Sequence, residues 1–213
     1  MLRESWLRVR WSAPRAFLVK RPTKKRLWWG WDSEAIPYGE HEGKPILFVA
    51  VSESGQWFYS PDPLEVLAKV RGDVFVWNIT YEIGAFLKAV GCTKAAWEEL
   101  RKSKGSKWVQ VRPPLKLWVR VFPARYMGVR YGKRKINFYD AYNFFGCSLD
   151  KAARDFLGES KKEFDFEWLR DGIEKVWDVL VDYCRQDASL TVRLMLRLYE
   201  PAQELGFERF NSC

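Results

Sequence analysis

Histidine is nearly absent from this 213-residue chain; His41 stands alone. Histidine-rich metal centres are thereby excluded, and a histidine general base has almost no candidate. Cysteine is sparse and scattered (Cys92, Cys147, Cys184, Cys213), with no Cys-x-x-Cys pair, which argues against a zinc site and for free thiols. No apolar run approaches the roughly 20 residues that a membrane span needs. The N-terminus lacks a secretory pattern, because Arg3, Glu4, Arg8 and Arg10 interrupt any apolar stretch. The expectation is a cytoplasmic protein that meets no membrane. No repeat at a period of 20–50 residues and no low-complexity tract is visible. At 47% hydrophobic and 30% charged residues, the composition suits a chain with a core and not a disordered one.

Acidic residues are missing where basic ones gather. Residues 1–26 carry nine Lys/Arg against Glu4 alone, and residues 101–135 carry twelve Lys/Arg and no acid. With a net charge of +9, the rest of the chain is therefore net acidic. The basic stretches also hold Trp6, Trp11, Trp108, Trp118, Tyr126 and Tyr131. Cations interleaved with rings suit a polyanion whose bases can stack. A solvated charged edge would look the same, and charge carries no sequence preference.

Local patterns give an α/β order. Strands are expected at Leu27–Trp31, Pro45–Val51, Gln56–Tyr59 and Asp73–Trp77. Ser60 is expected to cap a short helix with Pro61 and Asp62 in its first turn. A helix over Tyr81–Val90 would bury Ile83, Phe86, Leu87 and Val90 and stop at Gly91. Residues 107–140, rich in β-formers and broken by Pro113-Pro114, Pro123 and Gly132, read as a basic β-ribbon insertion. Ser148 should cap a helix to about Phe156, and Trp177–Tyr199 reads as a long amphipathic helix burying Leu180, Val181, Cys184, Leu190 and Leu194. One layered domain is favoured over two.

Carboxylates at element ends carry the chemistry. In Asp32-Ser33-Glu34, residues two apart on extended chain point the same way, and such a pair can hold hard divalent cations. Two acids in a turn would read identically. Asn78-Ile79-Thr80-Tyr81-Glu82 sits where a strand passes into a helix; Asn78 could be only a cap, while Glu82 in the first turn could aim at the same sheet edge. Tyr183 and Asp187, four apart on a helix, share a face, as would any partly buried tyrosine and its neighbour. Lys161 lies in the loop 158–162. Together these acids match what a two-metal phosphodiester hydrolase requires, with two ions about 4 Å apart. The metal would relieve the acids' mutual repulsion. Tyr183 would orient a water by hydrogen bonding, since an unperturbed phenol has a pKa of about 10.

Asp32-x-Glu34, Asn78-x-x-Tyr81-Glu82 and Tyr183-x-x-x-Asp187, in this order, resemble the Exo I, Exo II and Exo III motifs of the 3′→5′ proofreading exonuclease domain of family B DNA polymerases, of the DEDDy type. The connecting stretches 133–140 and 149–156 resemble the protein-primed branch most. The likeness covers roughly residues 27–200, leaving 1–26 as a basic N-terminal arm and 201–213 as a C-terminal tail. It implies an RNase H-like fold, a mixed sheet flanked by helices. It implies that Asp32, Glu34, Glu82 and Asp187 ligate two Mg²⁺ or Mn²⁺ ions, that Tyr183 positions the water, that Lys161 contacts the scissile phosphate, and that Asn78 and Tyr81 hold the frayed 3′ end of single-stranded DNA. A proofreading enzyme of this kind, stand-alone or part of a split or truncated polymerase, would have a polymerase subunit or domain as partner, and a viral or plasmid origin would suit it.

Three positions depart from the family pattern. Glu82 stands where Asp is usual, Ala141-Tyr142 follows Asp140 where Ser/Thr-Leu is usual, and Phe166 replaces a tyrosine five residues after the lysine. One extra methylene at Glu82 moves a carboxylate by about 1 Å, a misplacement that can cost about a hundredfold in rate. Two further readings therefore stay open: a catalytically weakened module that binds single strands or a polymerase partner, and an RNase H-like endonuclease. Asp140 is a conceivable substitute acid, with a structural role the expected one.

Overall fold

A computed structural model of the chain describes residues 27–37 and 42–204. The expected basic arm, His41 and residues 205–213 of the expected tail lie outside the described residues.

One eight-stranded sheet organises the molecule, in the order β3-β2-β1-β4-β8-β7-β6-β5. Its strands are β1 (Leu27–Ala35), β2 (Pro45–Ser52), β3 (Trp57–Ser60), β4 (Gly72–Val76), β5 (Val109–Gln110), β6 (Leu117–Phe122), β7 (Tyr126–Tyr131) and β8 (Arg134–Asp140). β1 runs parallel to β4, and β4 parallel to β8; every other pairing is antiparallel. The helices are α1 (Pro63–Lys69), α2 (Ile79–Ala89), α3 (Lys94–Ser103), α4 (Tyr142–Phe145), α5 (Leu149–Leu157) and α6 (Ile173–Glu204), with a 3₁₀ helix at Phe166–Asp171. This is a mixed α/β fold, a mixed sheet flanked by helices.

Strand alternation divides the core into two layers. Trp29 and Trp31 of β1, Val74 and Val76 of β4 and Phe138 of β8 pack with Ile79, Ile83 and Phe86 of α2. On the other face, Leu47 and Val49 of β2 meet Leu180, Cys184 and Ala188 of α6. The expected core contacts Leu180, Val181, Cys184, Leu190 and Leu194 are all buried. Trp31 meets Phe138 edge-on, centroids 5.4 Å apart, which locks β1 and β8 across β4.

Four local expectations change. Asp62, not Ser60, caps α1, its Oδ1 accepting from Leu64 N at 2.8 Å; Pro63, which has no N–H to satisfy, opens the helix there. Ser60 Oγ instead donates to Glu65 Oε2 at 2.6 Å. The 107–140 region is not a separate ribbon: β5 to β8 continue the main sheet, and β8 lies inside it beside β4. The basic run begins on a helix, because α3 was not expected; Thr93 caps it, and Arg101 and Lys102 face the carbonyl end of its dipole. Finally, α6 runs four residues longer at its N-terminus than expected and continues to Glu204, into the expected tail.

Candidate active site

Three elements bring the four acids of the sequence motifs together. Asp32 and Glu34 lie on one face of β1, while Ser33 between them points to the α2 side. Glu82, in the first turn of α2, is 2% exposed, and its Oε2 accepts from Ser33 Oγ at 2.7 Å. Asp187, 3% exposed, comes from α6, and its Oδ2 pairs with Lys161 Nζ. α6 can lie this close to β1 because position 30 has no side chain: a Cβ there would stand 1.7 Å from the Ala188 carbonyl oxygen.

Charge confirms the convergence. Burial, then the Asp187 carboxylate, pushes Asp32 up to about 8, against a hydrogen bond from the Cys184 thiol and the pull of Lys161. Burial, then Asp32 and Asp187, holds Glu34 well above the usual carboxylate range. Burial, then Asp32, does the same to Glu82 despite the Ser33 hydrogen bond. Asp187 is raised by burial and pulled back by Lys161, to about 6. Four acids with one neighbouring ammonium resist full ionisation until more positive charge arrives.

Two carboxylate oxygens, Asp32 Oδ2 and Asp187 Oδ1, are sealed from solvent and have no hydrogen-bond partner. Buried carboxylate oxygens are rarely left so, and hard oxygen donors of this kind suit Mg²⁺ or Mn²⁺. The donor set thus fits hard divalent ions in its chemistry. Among the described residues, however, no three groups already enclose one point; Asp187 is paired with Lys161 and Glu82 with Ser33.

Lys161 is positioned by its own N–H, which donates to Asp150 Oδ1 at 3.1 Å. Its Nζ lies 4.5 Å from the centroid of the Tyr183 ring. Burial lowers the ammonium pKa, and Asp187 more than reverses this, so the lysine stays charged. Tyr183 is pushed up to about 12 by burial, against a hydrogen bond it accepts from the Lys161 ammonium; it keeps its proton at neutral pH, so its hydroxyl can also donate. Phe164 and Phe166 wall it in at 5.5 and 6.1 Å, so Phe166 supports the tyrosine by packing.

Asn78 stands at the cap position of α2 in a left-handed conformation (φ 68) with no side-chain cap bond, which leaves its exposed amide available. Asp140 accounts for that backbone: its Oδ1 accepts from Asn78 N at 3.2 Å and Tyr142 N at 3.1 Å. Burial raises Asp140, and no acid of the cluster contributes, so its role is to pin two element junctions. Tyr81 is 43% exposed at the rim, its phenol raised by burial and then by Glu34, Glu82 and Asp32. A groove of about 640 Å³ runs past Asn78, Thr80, Tyr142 and Lys161. A second of about 590 Å³, past Phe164 and Tyr183, shares Asp150 and Lys161 with it.

Sequence reasoning missed three residues here. Ser33 could have been found from the period of two along a strand. Gly30, a glycine inside a buried strand, signals close backbone approach. Cys184 against Asp32 follows only from the docking of α6, and no local pattern announces it.

Neither protein-family models nor the sequences of curated proteins match this chain. Among solved structures, the fold is similar to that of Phi29 DNA polymerase. Against that enzyme complexed with primer-template DNA and incoming nucleotide substrates, the TM-score is 0.57 at 16% identity, over 87% of this chain and 32% of that chain. For its orthorhombic crystal form the TM-score is 0.52 at 16% identity, and for its complex with single-stranded DNA 0.51 at 14%, with the same two coverages. The chain spans about a third of the polymerase's length. At this identity the likeness is one of fold.

Proposed function

We propose that this chain is a metal-dependent 3′→5′ exonuclease of RNase H-like fold that hydrolyses single-stranded DNA ends. One observation carries the reading: four acids from β1, α2 and α6 meet with two sealed carboxylate oxygens left unpartnered. Asp32, Glu34, Glu82 and Asp187 would hold two Mg²⁺ or Mn²⁺ ions, which supply an activated water and neutralise charge on the leaving oxygen. Tyr183, protonated at neutral pH, hydrogen-bonds the attacking water. Lys161, released from Asp187, contacts the scissile phosphate. Asn78, which lines the groove, and the half-exposed Tyr81 hold the terminal nucleotides, with Tyr81 offering a ring for stacking. The fold similarity to a DNA polymerase and the order of the sequence motifs support a proofreading-type role, with a polymerase subunit or domain as partner.

The test is a timed digestion of a labelled single-stranded oligonucleotide, with EDTA, Mg²⁺ or Mn²⁺. Mononucleotides should appear from the 3′ end only with metal, and Asp187→Ala should abolish them. A circular single strand should survive; cutting of the circle would make the chain an endonuclease.

A weaker reading has its own support. Asp187 is paired with Lys161 and Glu82 with Ser33, and among the described residues no three donors surround one point, as would suit a module that binds strands without cutting them. Glu82→Asp separates the two. In a working enzyme the shorter arm withdraws from Ser33 and misplaces the carboxylate, lowering the rate by about a hundredfold. In a relic the wild type does not cleave and Glu82→Asp restores cleavage. We expect the loss, read from initial rates in Mn²⁺.

A further inference from the structure

The face of β6, β7 and β8 away from α2 and α3 has a composition the site does not explain. Strand register stacks it in rows about 7 Å apart. One row joins Trp118, Arg130 and Lys135; another joins Phe122, Tyr126 and Tyr139. Between them Gly128 leaves room for Trp108 to lie on the sheet: a Cβ there would stand 2.8 Å from the Trp108 ring. Three cations surround that indole, Arg130 at 4.0 Å from the centroid, Arg120 at 5.2 Å and Lys135 at 6.0 Å. Trp118 and Phe122 are 40% and 41% exposed. The helix of this side, α6, lies over β1, β2 and β4, short of β6 and β7.

Among the described residues neither Arg120 nor Arg130 forms a salt bridge, and Arg120 Nε is sealed without a hydrogen-bond partner. The acid in line with these rows, Asp73, accepts from Asn137 Nδ2 at 3.3 Å. A guanidinium resting against an indole face can still offer N–H groups to a phosphate. Exposed rings beside it offer stacking to unpaired bases. A duplex would present its phosphates but keep its bases from the rings.

We infer that the open face of β6–β8 binds single-stranded nucleic acid, with phosphates on Arg130 and Lys135 and bases on Trp118 and Phe122. The face borders the groove of the candidate active site: Ala124, in the turn between Phe122 and Tyr126, lines that groove with Asn78 and Lys161. A strand lying in the groove has a surface on which to continue. The inference stands on the face itself and holds whether or not the acids cleave.

Binding of a fluorescent 20-nucleotide DNA, linear or circular, is measured by anisotropy in EDTA, where no cleavage intervenes. A circle has no end to place among the acids, so it reports the face. We expect the circle to bind within about threefold of the linear strand, and Trp118→Ala to weaken both about tenfold. Arg130→Ala with Lys135→Ala should flatten the plot of log affinity against log salt by roughly 1.4 units. Melting temperatures should stay at the wild-type value, as all three side chains are exposed. The inference falls if the circle does not bind, if these variants bind it as the wild type does, or if poly-glutamate of equal charge competes as well as DNA, which would mark a protein-docking face. Failure of the exonuclease reading is seen separately, as absent cleavage with metal.

Discussion

Asp32→Asn should slow digestion of single-stranded DNA by about a thousandfold and, in the same sample, raise the melting temperature of the metal-free protein. The two effects have one cause. Asp32 is sealed against Asp187, and its pKa is pushed up to about 8 by burial first and by Asp187 second. An unfolded aspartate titrates near 3.8. The folded-state pKa is therefore the higher one. This group's contribution to stability is intact below about pH 4 and is lost as pH rises through about 8. Asp187, raised to about 6, acts in the same direction over a lower window. Metal-free wild type should thus melt at a lower temperature at pH 8 than at pH 6. An amide has no charge to desolvate, so Asp32→Asn should recover on the order of a few kcal/mol at pH 8. That corresponds to roughly 5–10 °C for a chain of this size. Millimolar Mn²⁺ should stabilise the wild type more at pH 8 than at pH 6 and do little for the variant, because the acids are then short of a ligand. Cleavage should drop by about a thousandfold, the upper range for loss of one preorganised electrostatic group. Calorimetry with EDTA or Mn²⁺ and a digestion assay read all of this. A variant that melts below the wild type without metal, or that cleaves at the wild-type rate, would mean that the acids do not share a site.

Much of this arrangement was legible in the chain, and the reasons differ by element. β1, β2 and β4 announce themselves as short apolar runs buried on both faces, and α2 and α6 by a helical period of buried residues, so tertiary packing agrees with local pattern. The acids were legible because they sit at fixed offsets inside such elements: two apart on β1, in the first turn of α2, four after Tyr183 on α6. α3 was hidden, since its buried positions are Ala96, Leu100 and Ser103 and the rest, apart from Ala95 and Trp97, is charged. The role of residues 107–140 was misread for a different reason. Hairpins were visible, but that β8 returns to lie parallel to β4 is a non-local fact, set by Trp31 and Phe138 meeting across the sheet. The Lys161–Asp187 pair was equally invisible: a loop lysine acquires its partner only when α5 and α6 fix the loop through Asp150.

Gly30→Ala should be among the most damaging single methyls in the described fold. The backbone at Gly30 is ordinary extended strand, so the glycine is there for space and not for conformation. A Cβ at that position would lie 1.7 Å from the carbonyl oxygen of Ala188, 2.7 Å from its carbonyl carbon and 3.1 Å from the amide nitrogen of Val192. All three are backbone atoms of α6, so no side-chain rotation can make room. Either α6 lifts from β1 or the strand bends, and both break the layer in which Leu180, Cys184 and Ala188 face Leu47 and Val49. Overpacking of a well-filled core commonly costs about 1–3 kcal/mol, and a clash between two backbones should exceed that range. We expect a fall in melting temperature of about 10 °C or more, or insoluble protein. The site should fail with the fold, because Ala188 adjoins Asp187 and any lift carries that carboxylate away from Asp32. Gly84→Ala is the matched control. Gly84 lies inside α2 with nothing within 4 Å of its would-be Cβ, so the same methyl should stabilise by about 0.5–1 kcal/mol through helix propensity and leave cleavage intact. Opposite signs from one chemical change, read in parallel melts, would establish that close contact between β1 and α6 assembles the site. A Gly30→Ala protein that melts with the wild type and still cleaves would show that Asp187 does not depend on that contact.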